Sequence, residues 1–288
     1  QTPTTRYGRM YWVQAVALEK QWEDSRVDAR WDEKGKRITV TTKNLSALRL
    51  DGPGGADLAG AKVAIDGTEM TVEAPGFAVG SVSLKKSDGQ WSWGEPEGLI
   101  KRAGLQGPIE DAFLDRFVVV GPETPAADPR VRQWTEFELN HFRDRWSALM
   151  RGKLPEKRAD EVNSIDLNEG NLILWGDPTT NPLIAEMADK LPVRWKDGKI
   201  SFGDQSWPAD ECVPAFIFPN PLNPKRYVVI NSGLTFREGH DGTNSLQNPK
   251  LGDWAVIGLD QAPNALTPGR IVANGFFDEQ WKWAPAPK

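Results

Sequence analysis

The chain of 288 residues is poor in two residue types that carry much of enzyme chemistry. It has one cysteine, Cys212, and two histidines, His141 and His240. A single cysteine excludes an internal disulfide framework and any zinc site built on several thiolates. Beside Val213, it reads as a core thiol. Long apolar runs are also missing: none approaches the ~20 residues that a spanning helix needs, so no membrane partner is expected. Basic tracts are absent, and 35 Lys+Arg stand against 40 Asp+Glu for a net charge of −5. That balance argues against a dedicated nucleic-acid binder. What is present is an ordinary globular composition, 39% apolar and 26% charged, with an unusual 13 Trp. Most of these indoles are expected to pack cores or interfaces. Trp281 and Trp283 are the pair expected to stand exposed or to dock on the body or a neighbouring domain.

The pattern changes along the chain. The first part reads as short strands: Lys36 to Thr42 alternates with period two and is β-branched, and Leu45, Leu48 and Leu50 follow. Asp66-Gly67 and Asp88-Gly89 each separate two such runs, the signature of a hairpin whose turn needs positive φ at both central residues. A short helix is allowed only around Leu18 to Trp22. The second part alternates strands and helices. Phe117 to Val120, Leu172 to Trp175, Val213 to Phe218, Tyr227 to Ile230 and Trp254 to Ile257 are apolar runs of buried-strand type. Apolar residues recur at helical spacing from Val131 to Met150, with Gly152 to end the helix, and again over Pro182 to Leu191. Asp197-Gly198 marks an inserted hairpin. The chain therefore reads as a two-domain α+β protein. An N-terminal antiparallel β-sandwich covers residues 1–100. A three-layer α/β domain of Rossmann or flavodoxin-like type covers 101–283, with a largely parallel sheet and helices on its faces. Residues 284–288 form a tail.

Catalytic signatures are scarce. The G-x-S-x-G elbow of α/β-hydrolases and the phosphate-binding G-x-x-x-x-G-K-[ST] loop do not occur. Ser83 to Lys86 matches S-x-x-K but lies in a strand, where residues three apart face opposite ways. His141 reads as a partly exposed helical residue and His240 as a loop residue. Glu110, Asp111 and Asp115 read as solvated surface acids. No catalytic residue, metal site or cofactor is assigned. One constellation stands out, because α/β sheets place their sites beyond the carboxyl ends of strands. Asp177, Thr180, Asn181, Asn220, Asn223, Asn231 and Ser232 follow three of the expected strands, with His240 further on. Converging on one edge, they would make a neutral hydrogen-bonding pocket for a glycan or peptide; otherwise they simply form the turns.

Several longer stretches resemble a known family. These are Arg6 to Val13, Ile38 to Asn44, Gly104 to Phe113, Leu174 to Pro178, Phe218 to Pro224, and Asn231-Ser232-Gly233 with Thr235 to Glu238. Over residues 5–258 the chain resembles the segment that follows the catalytic domain in large prolyl-oligopeptidase-like proteins of planctomycete-type bacteria. The resemblance implies the post-catalytic region of an exported serine peptidase or esterase. Its Ser, Asp and His would lie in an upstream α/β-hydrolase domain. None of that domain's motifs is in this chain. The expected function is thus a non-catalytic accessory region whose partner is that hydrolase domain. The alternatives are the glycan- or peptide-binding module at the sheet edge, or a stand-alone hydrolase using Ser232 with His240.

Overall fold

Three Asp-Gly pairs reverse the chain as their chemistry requires. In the computed structural model, φ is 44° and 87° at Asp66-Gly67, 50° and 79° at Asp88-Gly89, and 51° and 70° at Asp197-Gly198. Each closes a two-residue hairpin. The structure describes residues 1–73, 76–242 and 248–284; beyond Ala284 the expected tail lies outside them. The chain divides into two compact units between Gln106 and Gly107.

The first unit is a β-sandwich. Its strands are β1 (Arg9–Met10), β2 (Val13–Leu18), β3 (Arg26–Asp32), β4 (Arg37–Lys43), β5 (Leu45–Asp51), β6 (Lys62–Ile65), β7 (Thr68–Thr71), β8 (Ser81–Ser87) and β9 (Gln90–Trp93). They form two sheets, β1-β2-β5-β8-β9 and β3-β4-β6-β7. Ile38, Val40, Val63 and Ile65 of the second sheet meet Leu48, Leu50, Leu84 and Trp91 of the first in one buried cluster. Fully burying a side chain of this size contributes roughly 1.5–3 kcal/mol. One pairing departs from the antiparallel rule: β4 and β6 run parallel. The chain leaves β4, crosses to the other sheet as β5 and returns in its original direction. Asp66 ties the sheets together, accepting from Thr42 N at 2.8 Å and from Trp91 Nε1 at 2.9 Å. Burial opposes its charge, but the Thr42 and Trp91 donors prevail and hold the carboxyl below its ordinary range. The segment Leu18 to Trp22 is not helical: Leu18 ends β2 and Trp22 sits at φ 68°.

The second unit contains β10 (Phe117–Val120), α1 (Pro129–Met150), β11 (Glu156–Lys157), α2 (Ser164–Glu169), β12 (Asn171–Leu174), α3 (Pro182–Met187), β13 (Val193–Lys196), β14 (Lys199–Phe202), β15 (Gln205–Pro208), β16 (Cys212–Asn220), β17 (Asn223–Ile230), β18 (Trp254–Gly258) and β19 (Arg270–Gly275). The main sheet has the order β11-β10-β12-β17-β16-β18-β19. Strands β11, β10, β12 and β17 pair in parallel, after which β16, β18 and β19 each pair antiparallel. Five of the seven strands therefore point one way, and β16 and β19 point back. The order opens like a flavodoxin-type sheet and departs from it at β16.

Helix α1 begins where Asp128 accepts from the backbone of Arg130 and Val131, with Pro129 in the first turn. It ends at Arg151, in the left-handed region at φ 59°, rather than at Gly152. Trp134, Leu139 and Phe142 face inward, while Phe137 and Met150 remain exposed. On one face of the sheet, Phe142 and Trp146 of the helix meet Phe113 and Phe117 edge-on, at 5.4 and 4.9 Å. On the other face Phe202 meets Phe216 at 5.7 Å. Ladder registers put Phe117 beside Asn171 and Phe216 beside Ile230, on opposite faces by strand alternation. The third layer thus includes a small sheet, β13-β14-β15, rather than helices alone.

Trp281 and Trp283 are not an exposed pair. Trp281 is 2% exposed and packs against Phe218, Tyr227 and Phe277. Trp283 stacks on Phe202 and lies 4.4 Å from the ring of Trp254. Gly203, at φ 54°, leaves room for it: a Cβ there would come within 2.1 Å of Trp283 Cδ1. Gly203→Ala should lower stability by about 1–3 kcal/mol in urea unfolding and alter tryptophan emission, through both the positive φ and the displaced indole. Unchanged stability and emission would show that the indole does not dock there.

Candidate functional site

The carboxyl edge of β12 and β17 carries most of the residues singled out in the sequence. Asn231, at φ 52°, directly follows β17. Its Oδ1 accepts from Gly176 N at 2.7 Å, and its Nδ2 donates to Gly176 O at 2.9 Å and to Pro214 O at 3.2 Å. One side chain thus joins the ends of β12 and β17 to β16. Asn181 caps α3: its Oδ1 accepts from Leu183 N and Ile184 N, and its Nδ2 donates to the carbonyls of Val120, Gly121 and Trp175. Asp177 folds back on its own turn, with Oδ1 accepting from Thr179 N at 2.7 Å and Thr180 N at 3.1 Å. Thr180 Oγ1 accepts from Asp177 N at 2.9 Å. Ser232 is 7% exposed and donates to Gly233 O at 3.0 Å. These five residues are neighbours, and their polar atoms bind one another and the strand ends.

Asn220 and Asn223 lie elsewhere. Strand β16 runs antiparallel to β17, and Asn220 pairs with Asn223 across the hairpin that joins them. Both therefore sit where β17 begins, the length of a strand away from Asn231. Convergence of all seven residues on one edge is ruled out by that reversal. Asn223 instead donates to Leu167 O of α2 at 2.8 Å and accepts from Lys225 N. Asn220 accepts from Leu222 N at 2.9 Å.

His240 belongs to a third place, a charged seam between α1 and the segment after β17. Glu138, His141 and Arg145 share one face of α1. Arg237 grips Glu138 through two bonds of 2.8 and 2.9 Å, both side chains being buried. Arg145 grips Asp241 in the same manner, at 2.9 and 2.8 Å. His141 Nε2 and Glu238 Oε2 are 2.8 Å apart. His240 Nδ1 accepts from Arg237 N at 3.1 Å. This seam was not apparent in the sequence. Its signal was the pair of ionic positions, Glu138 and Arg145, interrupting the inward stripe of α1.

Beside the seam, Glu110 and Asp111 are not solvated surface acids. Tyr227 Oη donates to Asp111 Oδ2 at 2.6 Å and accepts from Gly107 N at 3.0 Å. Burial above all, with the Asp111 carboxylate, pushes the Tyr227 phenol well above its ordinary range. Glu110 Oε1 accepts from Thr235 N at 2.7 Å and from Thr235 Oγ1. Its Oε2 is shut away from solvent without a partner. Burial outweighs those two bonds and raises the carboxyl from 4.5 to about 7.

A groove opens past β10 and β11, lined by Gly121 to Thr124 and by Arg143, Glu156, Lys157, Arg158 and Glu161, with a volume of about 560 Å³. Its lining is polar, with three cations and three carboxylates. Among the described residues, no group of three or more His, Cys, Asp or Glu is placed to hold a metal ion. No helix among them is long and apolar enough to cross a membrane. No protein-family model, no curated protein and no solved structure matches the chain.

The Glu110 carboxyl has a consequence for stability. The folded protein keeps a proton that the unfolded chain releases above about pH 4.5, so stability falls as pH rises from there to about 7 and then levels. The full shift corresponds to about 3 kcal/mol at most. Glu110→Gln should therefore gain on the parent protein by roughly 1–3 kcal/mol between pH 5 and pH 8, read from denaturant unfolding at each pH. A gap that does not change with pH would contradict the burial of this acid.

Proposed function

We propose that this chain is a non-catalytic accessory region that works beside a serine-hydrolase domain of prolyl-oligopeptidase-like type and is exported with it. The resemblance in sequence suggests the neighbour. The observation that carries the non-catalytic half is the engagement of the candidate groups. The Ser232 hydroxyl proton is directed to Gly233 O, and His240 Nδ1 takes the backbone N–H of Arg237. A serine nucleophile needs its proton aimed at a base, and an imidazole whose Nδ1 accepts carries its own proton on Nε2, the nitrogen that would have to take the serine's. The strand-end amides and hydroxyls are likewise turned inward, onto turns and strand ends.

The groove beyond β10 favours a second reading, a binding module. Its volume falls in the usual range for ligand sites, roughly 300–1,000 Å³. Its lining of three cations and three carboxylates, with no aromatic side chain, suits a peptide better than a glycan.

One set of measurements separates these readings. The purified chain should turn over neither activated esters nor peptide substrates above the level of a Ser232→Ala, His240→Ala double variant. Turnover by the parent chain that the double variant loses would overturn the accessory reading. Saturable peptide binding that Arg143→Ala weakens about tenfold would favour the second reading instead.

A further inference from the structure

Strand β3 is the edge of its sheet, and one side of it is open. It pairs with β4 along all seven residues, Arg26 to Asp32. On its other side Thr2 exchanges two backbone hydrogen bonds with Ser25, at 2.9 and 3.2 Å, and among the described residues the coverage ends there. Backbone groups alternate sides along a strand, so Val27, Ala29 and Trp31 direct their N–H and C=O the same way as Ser25. The partner strand agrees. Opposite Val27 and Ala29, Thr42 N donates to Asp66 and Val40 O accepts from Asp66 N, both away from β3. The side chains of Val27, Ala29 and Trp31 point to the core yet stay half-buried, whereas Ile38 and Val40 on the adjoining strand are fully buried. Val27 and Ala29 line the mouth of a groove of about 240 Å³ whose rim holds Tyr7, Met10 and Tyr11, all strongly exposed.

The outward residues of β3 are Arg26, Asp28, Arg30 and Asp32, alternating in sign. An open edge ordinarily carries charge that repels its own copies. This row does the opposite, because its signs invert about Ala29. Laid antiparallel on itself about a two-fold axis at Ala29, the strand sets Arg26 opposite the partner's Asp32 and Asp28 opposite the partner's Arg30, and the reverse. All four facing pairs are of opposite charge. Ala29 then meets the partner's Ala29, and Val27 meets the partner's Trp31. These are the residues whose backbone groups face the open side, so each pair exchanges two hydrogen bonds. Register and charge pattern thus select the same alignment. In the single chain Arg26 and Asp28 pair with each other at the surface, Nε to Oδ2 at 2.7 Å.

We propose that β3 is a self-pairing edge through which two copies of this chain join, merging two four-stranded sheets into one of eight strands. The inference is independent of the accessory reading. A short edge-to-edge contact is a small interface, so the dimer is expected to dissociate on the order of 10–100 µM. Its ionic component should weaken as salt is raised.

Sedimentation velocity over a concentration series tests the proposal with two charge reversals. Asp28→Arg and Arg30→Asp each place like charges opposite one another in a homodimer, and each should weaken self-association about tenfold or more. Mixed one to one, the two variants restore every opposite pairing and should associate like the parent chain. Both positions are exposed, and circular dichroism of each variant should match the parent. A parent chain that stays monomeric to about 1 mM would overturn the proposal and leave the edge to a strand from another protein. Undiminished association of either single variant, or a mixture that stays monomeric while the parent dimerises, would overturn this interface.

Discussion

The second unit depends on the Asn231 amide. Strand β12 and the two strands of the β16–β17 hairpin are joined at one edge by its two ends. A buried amide that satisfies a backbone N–H and two carbonyls removes the penalty those groups would carry if left unpaired. The same bonds fix the carboxyl edge of the sheet: Gly176 is held at φ 107°, the Asp177 turn closes on itself, and Asn181 starts α3. Polar atoms committed in this manner are not available to a ligand.

This commitment separates the two meanings of a polar strand end. In open α/β sheets the carboxyl edge is the usual place for a site. Asn, Asp and Thr are also the residues that make turns and caps. Here the second role has taken the groups, and the open space lies to one side, beyond β10 and β11, where long charged side chains rather than amides form the lining. In the first unit the free hydrogen-bonding capacity is of another kind, the backbone edge of β3 with its sign-inverting row of charges.

Much of the architecture was legible from residues. Asp-Gly pairs placed three hairpins because only a few residue types tolerate positive φ in succession. Apolar runs placed the buried strands, and Asp128-Pro129 placed the start of α1. Direction was not legible. All nine residues of β16 are buried, and a strand covered on both faces reads the same whether it runs parallel or antiparallel to its neighbours. That single reversal carried Asn220 and Asn223 to the opposite edge. Partnering was equally hidden. Glu110 looked like a surface acid because its Thr235 partner is distant in sequence, and the sequence left Trp281 either exposed or docked because the rings of Phe218, Tyr227 and Phe277 that receive it come from separate segments.

The strand-end polar groups of the second unit build its fold. Equilibrium urea unfolding of Asn231→Gly isolates that contribution, since glycine accepts the left-handed backbone and removes only the amide. The variant should lose about 2–4 kcal/mol, as expected for stranding several buried polar groups. A variant within about 0.5 kcal/mol of the parent would show that the amide is dispensable to the fold.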